Sequence, residues 1–201
     1  MRLTSTVKYD AKSTTKTATT IGTNVITTLT NYNKSDLAQF DGIFRFSKLS
    51  RLIDATDSSI LSNITTLKIS KTITPVLNAP SQYILDFSNA LYNPHSGHNS
   101  LMGGIVSSTG FTISGNSNTV YLDDDGAGNI RTYYNVGGTT RTYVGDAVGS
   151  INYSTGLITL PSLTITSTVN TNSIEIITQP KSNDIVPVRN QLVEIDFANS
   201  T

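Results

Sequence analysis

The chain has 201 residues, of which 37% are hydrophobic and only 14% charged, against about a quarter charged in an ordinary soluble domain. Lysine and arginine number 14, as do aspartate and glutamate, so the formal net charge is zero; this argues against nucleic-acid and anionic-membrane partners and suits a protein held in an assembly. With no cysteine there is neither a disulfide nor a thiolate metal site, no apolar run approaches the roughly 20 residues of a membrane span, and Met1–Thr6 lacks the apolar core of a signal peptide.

The only helical periodicity lies early. Ala18, Ile21, Val25, Leu29 and Tyr32 recur at steps of three and four, which predicts one buried helix face. Asn31 to Lys34 reads as the end of that helix. A second, shorter helix is expected from an N-cap at Ser47, with Leu49, Leu52 and Ile53 on one side. Ile43, Phe44 and Phe46 form an apolar entry before it.

From Ile60 the period changes. Ile64, Leu67, Ile69 and Ile73 sit among Thr, Ser and Lys, which predicts a long strand with a kink or bulge, ended by Pro75. Tyr83–Phe87 reads as a short strand and Asn93–His98 as a loop. Beyond residue 100, short β-rich runs alternate with turn signals about every ten residues. They are Phe111–Ile113, Val120–Leu122, Ile130–Tyr134, Thr142–Val144, Ile151–Tyr153 and Leu157–Leu160. The turns fall at Gly115–Asn118, Asp123–Gly126, Gly137–Gly138, Gly145–Asp146 and Ser154–Gly156. This is the pattern of an antiparallel meander or sandwich. Ser173–Ile177 and Leu192–Phe197 read as the last strands. Between them, Pro180–Val188 reads as an irregular, fixed connection.

The expected fold is α+β, mostly antiparallel β with a short helical N-terminal part. Helices are confined to about residues 14–56. Two parts are expected: residues 1–78, mixing helix and strand, and residues 79–201, antiparallel β.

Asp123-Asp124-Asp125-Gly126-Ala127-Gly128-Asn129 invites a calcium loop. Aligning Gly128 with the invariant glycine puts Ala127 at a ligand position and Tyr134 where a bidentate Glu is needed, so the reading fails. His95 and His98 could share a metal, but nothing near them supplies further ligands. No G-x-S-x-G elbow is present. Gly103-Gly104 and Gly137-Gly138 do not fit a phosphate-cradling loop. Asp54, Asp57, Asp86 and Asp196 are scattered and nominate no catalytic pair. The nine tyrosines suit core or interface packing better than sugar stacking, given that tryptophan is absent. No catalytic, cofactor-binding or metal-ligating residue is nominated, no cofactor is expected, and the chain does not read as an enzyme.

Several segments carry a resemblance. They are Tyr32–Asp41, Phe44–Leu49, Ile53-Asp54, Ser58–Ile60, Ser62–Thr65, Asp124–Arg131, Val148–Gly156 and Ser182–Gln191. In this order and spacing, over about residues 25 to 197, they resemble the C-terminal region of the inner-ring baseplate wedge subunit of T-even-like contractile-tailed phages. That subunit is several times longer. The resemblance implies a structural protein of the virion tail baseplate, assembled in the bacterial host cytoplasm. Its partners would be a second copy, as a homodimer, and other baseplate wedge proteins, without catalysis. The competing reading is a glycan- or receptor-binding β-rich module of a phage fibre or adhesin. Within the resemblance, Ser182–Gln191 is expected to be an ordered tie: Ile185, Val186 and Val188 buried, Asp184 paired with Arg189.

Overall fold

The computed structural model describes residues 1–98, 104–188 and 191–201. Two compact units divide the chain, Met1–Lys68 with Ser182–Thr201, and Ile69–Lys181.

The first unit opens on a strand, not a helix. In β1 (Arg2–Tyr9), Leu3, Ser5, Val7 and Tyr9 face inward and Thr4, Thr6 and Lys8 face out, the period-2 alternation of a half-buried strand. β1 pairs antiparallel with β2 (Ile60–Ile73), Leu3 lying opposite Leu67 and Ser5 opposite Thr65. The Ser5 and Thr65 hydroxyls meet at 2.8 Å. Because this strand precedes the helices, the N-terminal part is not simply helical. The expected irregularity in β2 is a bulge, where Lys8 faces Ser62 and Tyr9 faces Ile60. Its register points Thr65, Leu67 and Ile69 inward and leaves Ile64 72% exposed.

α1 (Ala18–Tyr32) follows the predicted face, with Ile21, Val25, Leu29 and Tyr32 buried. Thr17 caps it by accepting the Thr20 N–H at 3.2 Å. Its threonines are tolerated because Thr23, Thr27 and Thr30 donate their hydroxyls to the carbonyls four residues back. The helix does not stop at Asn31–Lys34. It widens into a π turn over Asn33–Leu37, with the Ala38 N–H bonded to the Asn33 carbonyl, and the wider turn buries Leu37 completely.

α2 (Phe46–Asp54) buries Leu49 and Ile53. Its N-cap is Arg45, which gives no side-chain bond, rather than Ser47. Asp184 caps the helix from far along the chain, its Oδ1 accepting the Phe46 N–H at 2.8 Å. Phe44 is the buried member of the apolar entry; Ile43 is exposed. The Phe44 and Ile185 backbones exchange two hydrogen bonds of 3.0 Å, and Ile185 is buried. Val186 and Val188 are exposed instead of buried, since this bridge commits only Ile185 to the core. Arg189 and Asn190, expected to take part in this tie, lie outside the described residues.

Leu192–Phe197 is not a strand. It runs along the free edge of β1, where the Met1 ammonium donates to the Glu194 carbonyl and the Asp196 N–H to the Met1 carbonyl. A turn follows, and Thr201 bonds back to Leu3 and Ser5.

The second unit is built on a seven-stranded antiparallel sheet of order β10-β5-β6-β7-β8-β9-β3. Its strands are β3 (Ser81–Asp86), β5 (Phe111–Ile113), β6 (Asn116–Asp124), β7 (Asn129–Val136), β8 (Thr140–Asn152), β9 (Leu157–Leu163) and β10 (Ile165–Thr168). Beside it, Ile69–Ile73 pairs with β11 (Ile174–Thr178), and β11 with β4 (Ser107–Ser108). Val120, Leu122, Ile130, Phe111, Leu160 and Ile176 are among its fully buried side chains. The turn expected at Gly145–Asp146 is a bulge within β8. Thr132 faces Gly145 while Ile130 faces Gly149, so the extra residues loop out and the strand continues.

Candidate functional site

The first unit carries an apolar groove of about 350 Å³ bounded by β1, α1 and the Phe197–Thr201 segment. Val7 and Tyr9 line one wall and Ile21, Gly22, Val25 and Ile26 the other. At Gly22 a Cβ would meet nothing within 4 Å, so the missing side chain leaves space inside the groove. Ile26 at its rim is 58% exposed. Tyr9 is the one titratable side chain among the described lining residues. The lining is mostly apolar, as in surfaces that make protein contacts.

The three consecutive aspartates in the second unit part company. Asp125 closes the β6–β7 turn, accepting the backbone N–H groups of Ala127 and Asn129 and the Asn129 amide. Burial opposes its charge, but these Asn129 and Ala127 donors outweigh it and hold its carboxyl below the usual range. Asp124 is fully buried and accepts from the Val106 N–H at 2.8 Å and the Tyr153 hydroxyl at 2.6 Å. Burial first, and this carboxylate second, push the Tyr153 hydroxyl far above its ordinary range.

Asp123 points to the opposite face and organises a ladder. Arg131 forks onto it, Nε to Oδ1 at 2.9 Å and Nη2 to Oδ2 at 3.2 Å. Arg141 Nη1 and the Tyr143 hydroxyl also donate to Oδ2, at 2.7 and 2.8 Å. Tyr121, Tyr133 and Tyr143 stand side by side across β6, β7 and β8, with ring centres 5.7 and 5.9 Å apart. Each guanidinium lies over a ring at 4.3 Å, Arg131 over Tyr143 and Arg141 over Tyr133.

Other residues weighed from the sequence go to separate places. His98 Nδ1 lies 3.1 Å from the His95 carbonyl, and the two rings are 5.5 Å apart. Asp57 pairs with Lys16 at 2.5 Å, Asp54 accepts from Asn63, Asp86 from Ser88, and Asp196 stands 3.6 Å from Arg2. Among the described residues no group of three or more His, Cys, Asp or Glu could hold a metal ion, and no helix is long and apolar enough to cross a membrane. Gly103 lies outside the described residues. The ladder was not read from the sequence, although a signal existed: Asp123 with Arg131, and Tyr121 with Tyr133, are equidistant from Ala127 in the turn, as cross-strand neighbours must be.

Residues 1–72 match the family model of the baseplate structural protein gp6, C-terminal domain III. Over this stretch the chain is similar to a phage baseplate structural protein. The match spans β1, α1, α2 and nearly all of β2, so the apolar groove between β1 and α1 lies mostly on residues of the matched stretch. No curated protein matches the chain. The match supports a structural role in a tail baseplate, with association to other baseplate proteins.

Proposed function

We propose that the chain is a non-catalytic subunit of a phage tail baseplate wedge, that it forms a homodimer, and that it binds other wedge proteins in the virion, having assembled in the host cytoplasm. The observation that carries this reading is the domain III match over residues 1–72, on a unit whose open feature is an apolar groove. Zero net charge and few charged side chains fit a surface that is buried against protein at little desolvation cost. A homodimer needs one self-complementary patch around a two-fold axis. The groove and Ile26 offer that patch, with a second copy as the occupant.

Light scattering tests it. The expected mass is twice 21.6 kDa at high micromolar concentration, and Ile26→Asp is expected to give the monomer mass with an unchanged circular dichroism spectrum. A monomeric wild type removes the dimer, and a dimer indifferent to Ile26→Asp removes the groove from its interface.

A further inference from the structure

We propose that the β7–β8 hairpin is a preformed docking finger for a carboxylate-bearing protein surface, with Arg141 as its anchor. Every residue from Asn135 to Arg141 is exposed, yet the strands stay paired out to Val136 and Thr140. The tip is closed by Gly137 and Gly138, whose φ angles of 61° and 83° are the left-handed values that glycine accepts. A bare two-stranded ribbon is marginal in water. The Asp123 ladder at its base supplies the missing hold.

Arg141 is fixed but not fully used. Its plane is set by Tyr133 below it, and Nη1 is held by Asp123. Asp123 shares both oxygens with Arg131, so Arg141 receives only part of one carboxylate, and its side chain remains 37% exposed. The single charge of Asp123 faces two guanidiniums and cannot offset both. From Asn129 to Gly145 the charged residues are Arg131 and Arg141 alone, a positive stretch in a chain of zero net charge.

A guanidinium held flat and half-solvated loses little rotamer entropy when a carboxylate completes its fork. Tyrosine and arginine together are the residue types in which interface energy concentrates. Val136, paired with Thr140 on the other face of the ribbon, is 51% exposed, an apolar side chain that suits a protein surface better than a sugar. This goes beyond the baseplate reading but rests on its claim that the chain works by protein contact.

The test is nuclear magnetic resonance on the full chain, isotope-labelled, with a hexaglutamate peptide as the probe at low salt. The expected result is a saturable shift of the Arg141 Nε–H and the Thr140–Thr142 amides, suppressed by salt and absent with hexalysine. Binding is expected to weaken at least tenfold in Arg141→Gln and to be partly kept in Arg141→Lys, which retains the charge without the fork. Unshifted hairpin resonances, or equal binding by Arg141→Gln, would overturn the proposal. So would binding of polygalacturonate without the peptide, which would assign the site to an acidic sugar. If Arg141→Gln disorders the hairpin, the Arg141→Lys titration decides. Light scattering on the same samples separates the two readings, because lost peptide binding with an intact dimer speaks against the finger alone.

Discussion

Asp123 shows how a single side chain can hold a sheet region together. It is 1% exposed and takes hydrogen bonds from two arginines and a tyrosine on β7 and β8. Its removal takes the carboxylate from Arg131, which is only 6% exposed and stacks on the Tyr143 ring. Asp123→Ala is expected to cost about 3–5 kcal/mol, the usual loss when one partner of a buried pair is deleted. Urea unfolding measures it; a loss under about 1 kcal/mol would mean that the ladder is ornamental. A second position is constrained by a neighbour's volume. A Cβ on Gly104 would stand 1.6 Å from Asp124 Oδ1, so the carboxylate must leave its Val106 and Tyr153 donors. Gly104→Ala is expected to destabilise by about 1–3 kcal/mol, the cost of buried polar groups left unsatisfied.

At the scale of elements, what could be read in the sequence was what depends on neighbours in the chain. The steps of three and four from Ala18 to Tyr32 gave α1 because a helix is bonded to itself. The glycine-marked turns at Gly115, Gly126, Gly137 and Gly156 gave the meander, since each of these residues has positive φ. β1 was overlooked although Leu3, Val7 and Tyr9 alternate with polar residues, because its partner β2 lies some sixty residues away. Gly145 resembled a turn and proved a bulge, because its register is set by β7 and not by β8 itself. The Asp123 ladder needed that same cross-strand register. The cap of α2 depends likewise on distance in sequence. Asp184, not Ser47, meets the first free N–H, so Asp184→Ala is expected to lower stability by about 1 kcal/mol. Ser47→Ala should stay within about 0.5 kcal/mol of wild type. Thermal melts of the two variants check this; the reverse order would return the cap to Ser47.

At the scale of the whole molecule, acid is expected to weaken the first unit. Two ion pairs there join segments distant in sequence: Lys16, before α1, holds Asp57, and Lys48, on α2, holds Asp36. The Lys16 ammonium, followed by the Ser59 hydroxyl and backbone N–H, keeps the Asp57 carboxyl well below its ordinary range. The Lys48 ammonium, followed by the Ser35 hydroxyl, does the same for Asp36. A carboxylate with a folded pKa below its unfolded value of 3.8 contributes stability that is complete above that value and is lost as pH falls through the lower folded pKa. Both pairs should therefore contribute in full from neutral pH down to about pH 5 and weaken progressively below about pH 4. Asp57→Asn keeps the shape and cannot ionise. It is expected to be less stable than wild type at pH 7, with the difference shrinking as pH drops below about 4. Melting curves of both proteins from pH 7 to pH 2 decide the matter. If the two stay parallel over that range, the Asp57 charge contributes nothing to the fold, and the acid sensitivity of the first unit must come from elsewhere.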